Sequence, residues 1–327
     1  MKKQVRTIFI CYLLCGSFHD GLAQDAQVSR FQTGSYIPGL ISVRDFSNPV
    51  KSGVLLTNYN AFLFSNRFND SNGNAITSIS SPSQNVTINK VDIRSYNNIL
   101  DITYVSPKLK FLNGIRYMAY IDLPYSTTSI QVAATGLLKK PNTLSGGASG
   151  FNDITVSPLT LSYSFSNFDI TFGYSFVAPT GHYKTGDNSN TGLGYWSHIF
   201  QIGGYYYLNN KSTAFLVLPT YEFHGKLKDA DVTVGDRVAL EYGISQYLTE
   251  KIELTLQAGH MWQTGRDKGA SVYWNTSIKD KFSVISAGAG YWFISDTFYS
   301  HLKWISSYGS REFFQFNGIE VQLLVVL

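Results

Sequence analysis

Residues 168–178 read FDITFGYSFVA and run directly into residues 179–194, PTGHYKTGDNSNTGLG. Phe168, Ile170, Phe172, Tyr174, Phe176 and Ala178 alternate with Asp169, Thr171, Gly173 and Ser175. That is the period of a strand with one apolar and one polar face. The apolar face could pack on the core of a soluble sandwich or meet lipid, and the rest of the chain has to decide between them.

The same alternation recurs. Ile115, Tyr117, Ala119, Ile121 and Leu123 oppose Arg116, Met118, Tyr120 and Asp122; Val238, Leu240, Tyr242 and Ile244 oppose Arg237, Ala239, Glu241 and Ser245. Ile252, Leu254, Leu256 and Ala258 oppose Glu253, Thr255 and Gln257, and Ile319, Val321, Leu323 and Val325 oppose Glu320 and Gln322. The connections also alternate. RFNDSNGNAITSISSPSQNVTINK, TTSIQVAATGLLKKPNTLSGGASG, PTGHYKTGDNSNTGLG, HGKLKDADVTVGD and QTGRDKGASVYWNTSIKD are long, whereas SPKLKFLNG, SN, NNK, TEK and SDT are short. A soluble sandwich has no reason to put every long connection at one end. An outer-membrane barrel does, with short periplasmic turns, longer extracellular loops and an even strand number.

The reading is therefore an all-β, transmembrane, antiparallel up-and-down β-barrel of about twelve strands, each near the ~9–11 residues a tilted strand needs to cross the bilayer. Strand centres are expected near Tyr59, Asp101, Tyr120, Leu159, Phe172, Ile202, Val217, Leu240, Leu256, Ala287, Lys303 and Gln322, with ten or fourteen strands as alternatives. Composition agrees: 22 Tyr, 22 Phe and 28 Gly with only 15% charged residues suit strands and tight turns. Tyr195-Trp196, Tyr205-Tyr206-Tyr207, Tyr291-Trp292-Phe293 and Phe313-Phe314 are placed as interfacial girdles.

Lys2, Lys3 and Arg6, the apolar run TIFICYLLCG and Gly21-Leu22-Ala23 read as a cleaved secretory signal peptide over residues 1–23. Cys11 and Cys15 lie within it, so the expected mature chain has no disulfide and no thiolate metal site. A formal charge of +4 for the whole chain, lower once the signal is gone, argues against nucleic acid as a partner. The partners expected are outer-membrane lipid and the outer-membrane assembly machinery, and the location is the outer membrane of a Gram-negative bacterium.

Three units are expected: the signal peptide, an irregular segment over 24–52, and the barrel over 53–327. The segment holds Gly34, Pro38, Gly39 and Pro49 without sustained alternation. It is either a loose periplasmic tail or a hatch folded into the lumen, for which Tyr36, Ile37, Leu40 and Phe46 supply apolar surface. The polar faces give a candidate lumen: Asp101, Arg116, Asp122, Asp169, Arg237, Glu241, Glu253, Gln257, His301, Lys303, Glu320 and Gln322. These would either pair into an interior network or line a conducting path.

No catalytic, metal or cofactor site is expected. His182, His198, His224, His260 and His301 show no close metal-ligand spacing. None is followed two residues on by serine, the motif of barrel lipid hydrolases, although a neighbouring strand could supply a nucleophile. RFNDSNGN, TGDNSN and KDADVTVGD are ordinary turn chemistry as well as potential Ca²⁺ ligands, and none has EF-hand spacing.

The order GVLLTNYNAFLFSNRFNDSNG, ILDITYVSPKLKFLNG, YIDLPY, DITVSPLTLSYSF, FVAPTGHYKTGD, GLGYWS and AGHMWQTGRDKG resembles the SphA / MetA-pathway-of-phenol-degradation family of outer-membrane proteins from about Gly53 onward. Tyr104-Val105-Ser106-Pro107, Pro179-Thr180-Gly181-His182-Tyr183 and Tyr195-Trp196-Ser197 are its better marks, all at strand ends and turns. The resemblance implies a barrel that carries small hydrophobic or aromatic compounds across the outer membrane without covalent chemistry or cofactor. A structural or adhesive barrel is the alternative, and a lipid hydrolase a further one. The chain departs from many such barrels in ending on Leu327 instead of an aromatic residue.

Overall fold

Each stretch with a two-residue period folds as a strand. A computed structural model describes residues 34–81, 84–135, 142–185, 187 and 189–327. The expected signal peptide and the first ten residues of the following segment lie outside the described residues. In chain order the strands are β1 (Gly53–Phe68), β2 (Ser78–Ser81), β3 (Gln84–Val105), β4 (Arg116–Thr135), β5 (Asn142–Phe151), β6 (Ile154–Ser164) and β7 (Phe168–Ala178). They continue with β8 (Ser197–Leu208), β9 (Thr213–His224), β10 (Arg237–Tyr247), β11 (Ile252–Gln263), β12 (Lys281–Ile294), β13 (Phe298–Arg311) and β14 (Phe314–Val326).

Twelve of these close into one antiparallel barrel. β3 pairs with β4, β4 with β6, each later strand with its successor, and β1 joins β3 to β14 from Leu55↔Val326 to Ser65↔Phe316. Closure leaves no free barrel edge, so every strand satisfies its backbone inside hydrocarbon. All twelve expected strand centres lie within these twelve strands. In the opening stretch Phe168, Ile170 and Phe172 are exposed on the outer surface while Asp169, Thr171 and Ser175 are buried inside.

The short turns gather at one rim, which is the periplasmic one by the rule that long loops are extracellular. Asn113, Asn209, Asn210, Lys211 and Asp296 take left-handed backbone conformations there, with φ between 50 and 68°. Asn and Asp tolerate that region better than most residues, which is why three or four residues suffice to reverse the chain between β8 and β9 and between β12 and β13.

Three expectations need correction. Residues 78–81, 84–90, 127–135 and 142–150 are strand instead of the expected loops. β3 and β4 continue beyond the outer rim, paired with each other to Thr87↔Thr135, with β2 and β5 added on their flanks. Ser, Thr, Gln, Asn and Gly dilute the strand period there, leaving only a short apolar face on which Val86, Val132 and Ala134 are buried. The outer rim also has one tight connection, Glu312-Phe313 between β13 and β14, with Glu312 at φ 51°. Finally, the aromatic clusters are not girdles throughout. Trp196, Tyr206, Tyr291 and Phe293 are exposed outside, but Tyr195, Tyr205, Tyr207 and Phe313 are buried inside. Consecutive residues of a strand face opposite ways, so a run of aromatics serves both sides.

The outer loops pack on one another. Tyr195, Leu227, Val232, Val234 and Trp274 form a separate apolar cluster over the mouth. Asp267 fixes it by accepting the Gly235 N–H and the Trp274 indole N–H, each at 2.8 Å. Asp153 likewise accepts the N–H groups of Gly181 (2.8 Å) and Leu193 (2.6 Å). Among the described residues no group of three His, Cys, Asp or Glu side chains could hold a metal ion.

Candidate functional site

Residues 34–50 run inside the barrel, from its outer half to its inner rim. At the top, Glu222 accepts the N–H groups of Ser35 (2.6 Å) and Tyr36 (3.4 Å). Lower down, Glu241 takes the Tyr36 hydroxyl, the Gly39 N–H at 2.7 Å and the Gln257 amide at 2.7 Å. Lys303 donates to the carbonyls of Gly39 (2.8 Å), Leu40 (2.9 Å) and Ile41 (3.3 Å) and pairs with Glu320 at 3.0 Å. Ser42 donates to Gln322 at 2.8 Å and lies 3.2 Å from His301, which also contacts Thr255. At the bottom Arg44 pairs with Glu253 at 3.3 Å and donates to the carbonyls of Lys211 and Ser212 in an inner turn. An irregular segment cannot satisfy its own backbone, so these buried side chains substitute for a ladder.

Apolar packing completes the fit. Tyr36, Ile37 and Leu40 lie on Ala239, Met261, Phe282, Val284, Ile305 and Phe316 of β10–β14. Ile41, Val43 and Phe46 lie on Tyr205, Tyr207, Ala214, Leu216 and Leu218 of β8 and β9. Phe46 occupies a notch that exists because Gly173 and Gly203 lack side chains: a Cβ there would come within 2.8 and 2.6 Å of its ring.

The opposite wall is bare. Between the segment and strands β1, β3, β4 and β6 lies a cavity of about 1500 Å³ that reaches toward both rims. At mid-depth it is lined by Tyr59, Asn97, Asp101, Thr103, Tyr120 and Asp122, with Asp101 directly opposite Asp122 in the ladder. Toward the outside its lining gains apolar side chains, Leu63, Ile93, Ile130, Phe314 and Phe316, set among Ser65, Ser95, Thr128 and Asn152. Nearby the wall itself is irregular. β6 bulges at Ser157-Pro158, breaking the register with both β4 and β7. Proline removes a ladder donor, and the Ser157 hydroxyl bonds the Tyr174 carbonyl instead.

The structure places all twelve sequence-selected polar residues on the inward face, in three groups. Glu241, Gln257, Glu253, His301, Lys303, Glu320 and Gln322 surround the inner segment. Asp101 and Asp122 line the cavity. Asp169, Arg116 and Arg237 brace the frame: Asp169 accepts the Tyr207 hydroxyl at 2.8 Å, Arg116 donates to the carbonyls of Ser106 and Val50, and Arg237 holds Asp280 at 2.6 and 2.8 Å. Burial pushes the Asp280 carboxyl up to about 6, against the opposing pull of Arg237. Sequence reasoning missed Glu222, Asp280, Arg44, Ser42 and Tyr59. β9 shows why Glu222 was hidden: its inward face carries Ala214, Leu216 and Leu218, as apolar as the Phe215 and Val217 that face out.

A second constellation lies on the outer surface near the outer rim. Ser283 of β12 is directly opposite His260 of β11, with its hydroxyl 2.7 Å from Nδ1, and the Tyr242 hydroxyl is 3.1 Å from Nε2. The motif absent along one strand thus has a counterpart across two.

The family model described as "Putative MetA-pathway of phenol degradation" matches residues 65–323. The chain belongs to that family. None of the curated proteins matches it. Among solved structures, the COG4313 outer membrane channel from Pseudomonas putida F1 superposes with a TM-score of 0.65 at 14% identity, covering 89% of this chain and all of that one. The translocator domain of the autotransporter NalP from Neisseria meningitidis gives a TM-score of 0.49 at 12% identity, covering 87% of this chain and 92% of that one. At these identities the likeness is one of fold: a closed twelve-stranded barrel of the Gram-negative outer membrane, in contact with its lipid.

Proposed function

We propose that this member of the family passes small hydrophobic or aromatic compounds across the outer membrane, by non-covalent steps, along the cavity beside its inner segment. The observation that carries the reading is the division of the lumen into a packed half and an open half. About 1500 Å³ exceeds the roughly 300–1,000 Å³ of ordinary small-molecule pockets. Its outer part offers Leu63, Ile93, Ile130, Phe314 and Phe316 to an apolar ligand, and the mid-depth Asp101–Asp122 pair resists anions. The bulge at Ser157-Pro158 offers an apolar ligand a weak point in the wall toward the bilayer. Residues 34–50 act as the hatch that keeps the polar route narrow. The cleaved signal peptide and insertion by the outer-membrane assembly machinery belong to the same proposal.

The test is uptake into liposomes by purified protein. Entry of toluene, naphthalene or a medium-chain fatty acid should be faster than in protein-free vesicles, and bulky substitution of Ile130 or Phe316 should slow it. Unchanged rates for every apolar compound tried would remove the reading.

The Ser283–His260 contact favours a second one, a lipid hydrolase facing the bilayer, since a hydroxyl within reach of an imidazole is the minimum for nucleophilic catalysis. Release of fatty acid from phospholipid vesicles, abolished by Ser283→Ala, would establish it. No release from the intact protein rejects it.

A further inference from the structure

On the outer surface at the outer rim, Lys281 of β12 and Arg311 of β13 are directly opposite each other in the ladder. Both project outward, since Phe282 and Ser310 beside them are buried inside. Like charges facing across a ladder destabilise the sheet. Neither has an ion-pair partner among the described residues, a state they share with exposed Lys108, Lys184, Lys251 and Arg266; what sets them apart is that they face each other across the ladder. The nearby carboxylates are committed or turned away. Asp280 is buried against Arg237, and the Glu312 side chain is buried under the β13–β14 turn. Lys279, two residues before β12, donates to the Thr264 carbonyl at the same rim.

The surface below this pair is layered in the order of a membrane leaflet. Trp262 is directly opposite Lys281, and Tyr308 directly opposite Ser283. His260 lies against both rings, with centroids 5.5 Å from Trp262 and 6.3 Å from Tyr308. Deeper still, Ile285, Trp304 and Leu256 are exposed. The cations thus share their row with Trp262; His260, Ser283 and Tyr308 stand in the next row down, and a mainly apolar wall stands below them. Headgroup, interface and acyl chains call for that sequence.

We propose that Lys281 and Arg311 form a binding site for the phosphate of a phosphorylated outer-leaflet glycolipid whose acyl chains lie along β11–β13. Arg311 supplies a planar fork suited to two phosphate oxygens, and Lys281 a point charge. A bound phosphate converts a repulsive cross-strand pair into a bridged one. The lipid is held where the β12–β13 register shifts between Lys281 and Ser283, at the end of β13 that leads into the shortest outer connection.

The test uses the intact detergent-purified protein and native mass spectrometry, with bis-phosphorylated lipid A, the same lipid A stripped of its phosphates, and inorganic phosphate alone. The wild type should retain phosphorylated lipid A, the Lys281→Glu/Arg311→Glu variant about tenfold or more weakly, and the stripped lipid should bind no better to wild type than to the variant. A Lys90→Glu/Arg94→Glu variant of equal charge change should bind as wild type does. Heat-dependent gel mobility confirms that each variant is folded. Conservative Lys281→Gln and Arg311→Gln variants read the same loss if the charge-reversed protein does not fold. Equal retention by wild type and folded variants would overturn the proposal. So would equal binding of stripped lipid, or competition by inorganic phosphate at millimolar concentration, because the site would then not be reading a lipid headgroup.

Discussion

The two halves of the lumen are built from the same kind of strand and treat their inner faces differently. On β8–β14 the inward face holds Leu216, Leu218, Ala239, Met261, Val284 and Ile305 and is closed over by residues 34–50. On β1–β6 it holds Thr57, Tyr59, Asn97, Asp101, Thr103 and Asp122 and is left open. The difference shows where a barrel spends its interior. A dry wall needs a chain to cover it, and a wall that stays wet needs hydroxyls, amides and carboxylates that water can satisfy. The charged residues of the packed half serve mainly to pin backbone that has no ladder of its own.

The strongest way to break the comparison is to empty the packed half. A form lacking residues 24–49 should conduct in planar bilayers where the intact protein is nearly silent. Equal, small conductance of both would mean that inward side chains, not the segment, close the pore. A smaller loss is expected from Lys303→Met, which frees three carbonyls and leaves Glu320 buried without its cation; unfolding in urea should show a destabilisation of ~3–5 kcal/mol. The double variant Lys303→Met/Glu320→Leu should recover part of that loss. Gly203→Leu fills the Phe46 notch and should cost about 1–3 kcal/mol while raising conductance, because the segment can no longer seat. On the open side, Asp122→Asn should change stability by under ~1 kcal/mol, as a partly exposed group in a wet wall, yet reduce the preference for cations in reversal-potential measurements.

The smallest effect concerns the outer turn. Burial, aided by Asp70 and Asp280, pushes the Glu312 carboxyl up to about 7. An acid whose pKa is higher in the folded than in the unfolded chain binds more protons when folded. Its protonation therefore stabilises the fold at low pH, and that stabilisation is lost as pH rises from the normal glutamate range through about 7. Wild type should unfold more readily at pH 8 than at pH 5, and Glu312→Gln should flatten that part of the profile. An identical pH dependence for the variant would place the titration elsewhere.

Strand identity and facing were legible wherever one face of the sheet meets lipid. FDITFGYSFVA and its counterparts carry the two-residue period because hydrocarbon on one side and the interior on the other demand different side chains. The period fades where both faces meet the same medium. The period is also weak in the outer extensions of β3, β4 and β5, where Ser, Thr, Asn and Gly interrupt it, and Ala214–Leu218 is apolar on both sides because the inner one is covered by Ile41, Val43 and Phe46. Glu222 was overlooked for that reason, and Ser283 with His260 because their contact crosses strands whose register no local pattern reveals.

By itself the sequence determined an up-and-down barrel of about twelve strands and the two-faced character of most of them, since alternation and loop length are local properties written in the chain. The tertiary structure decided that residues 34–50 fill one side of the lumen, that a cavity remains on the other, and that Lys281 faces Arg311. Those facts depend on which strands are neighbours and in what register. Neighbours are chosen by closure of the whole sheet, an energy shared by twelve strands and encoded in none of them singly.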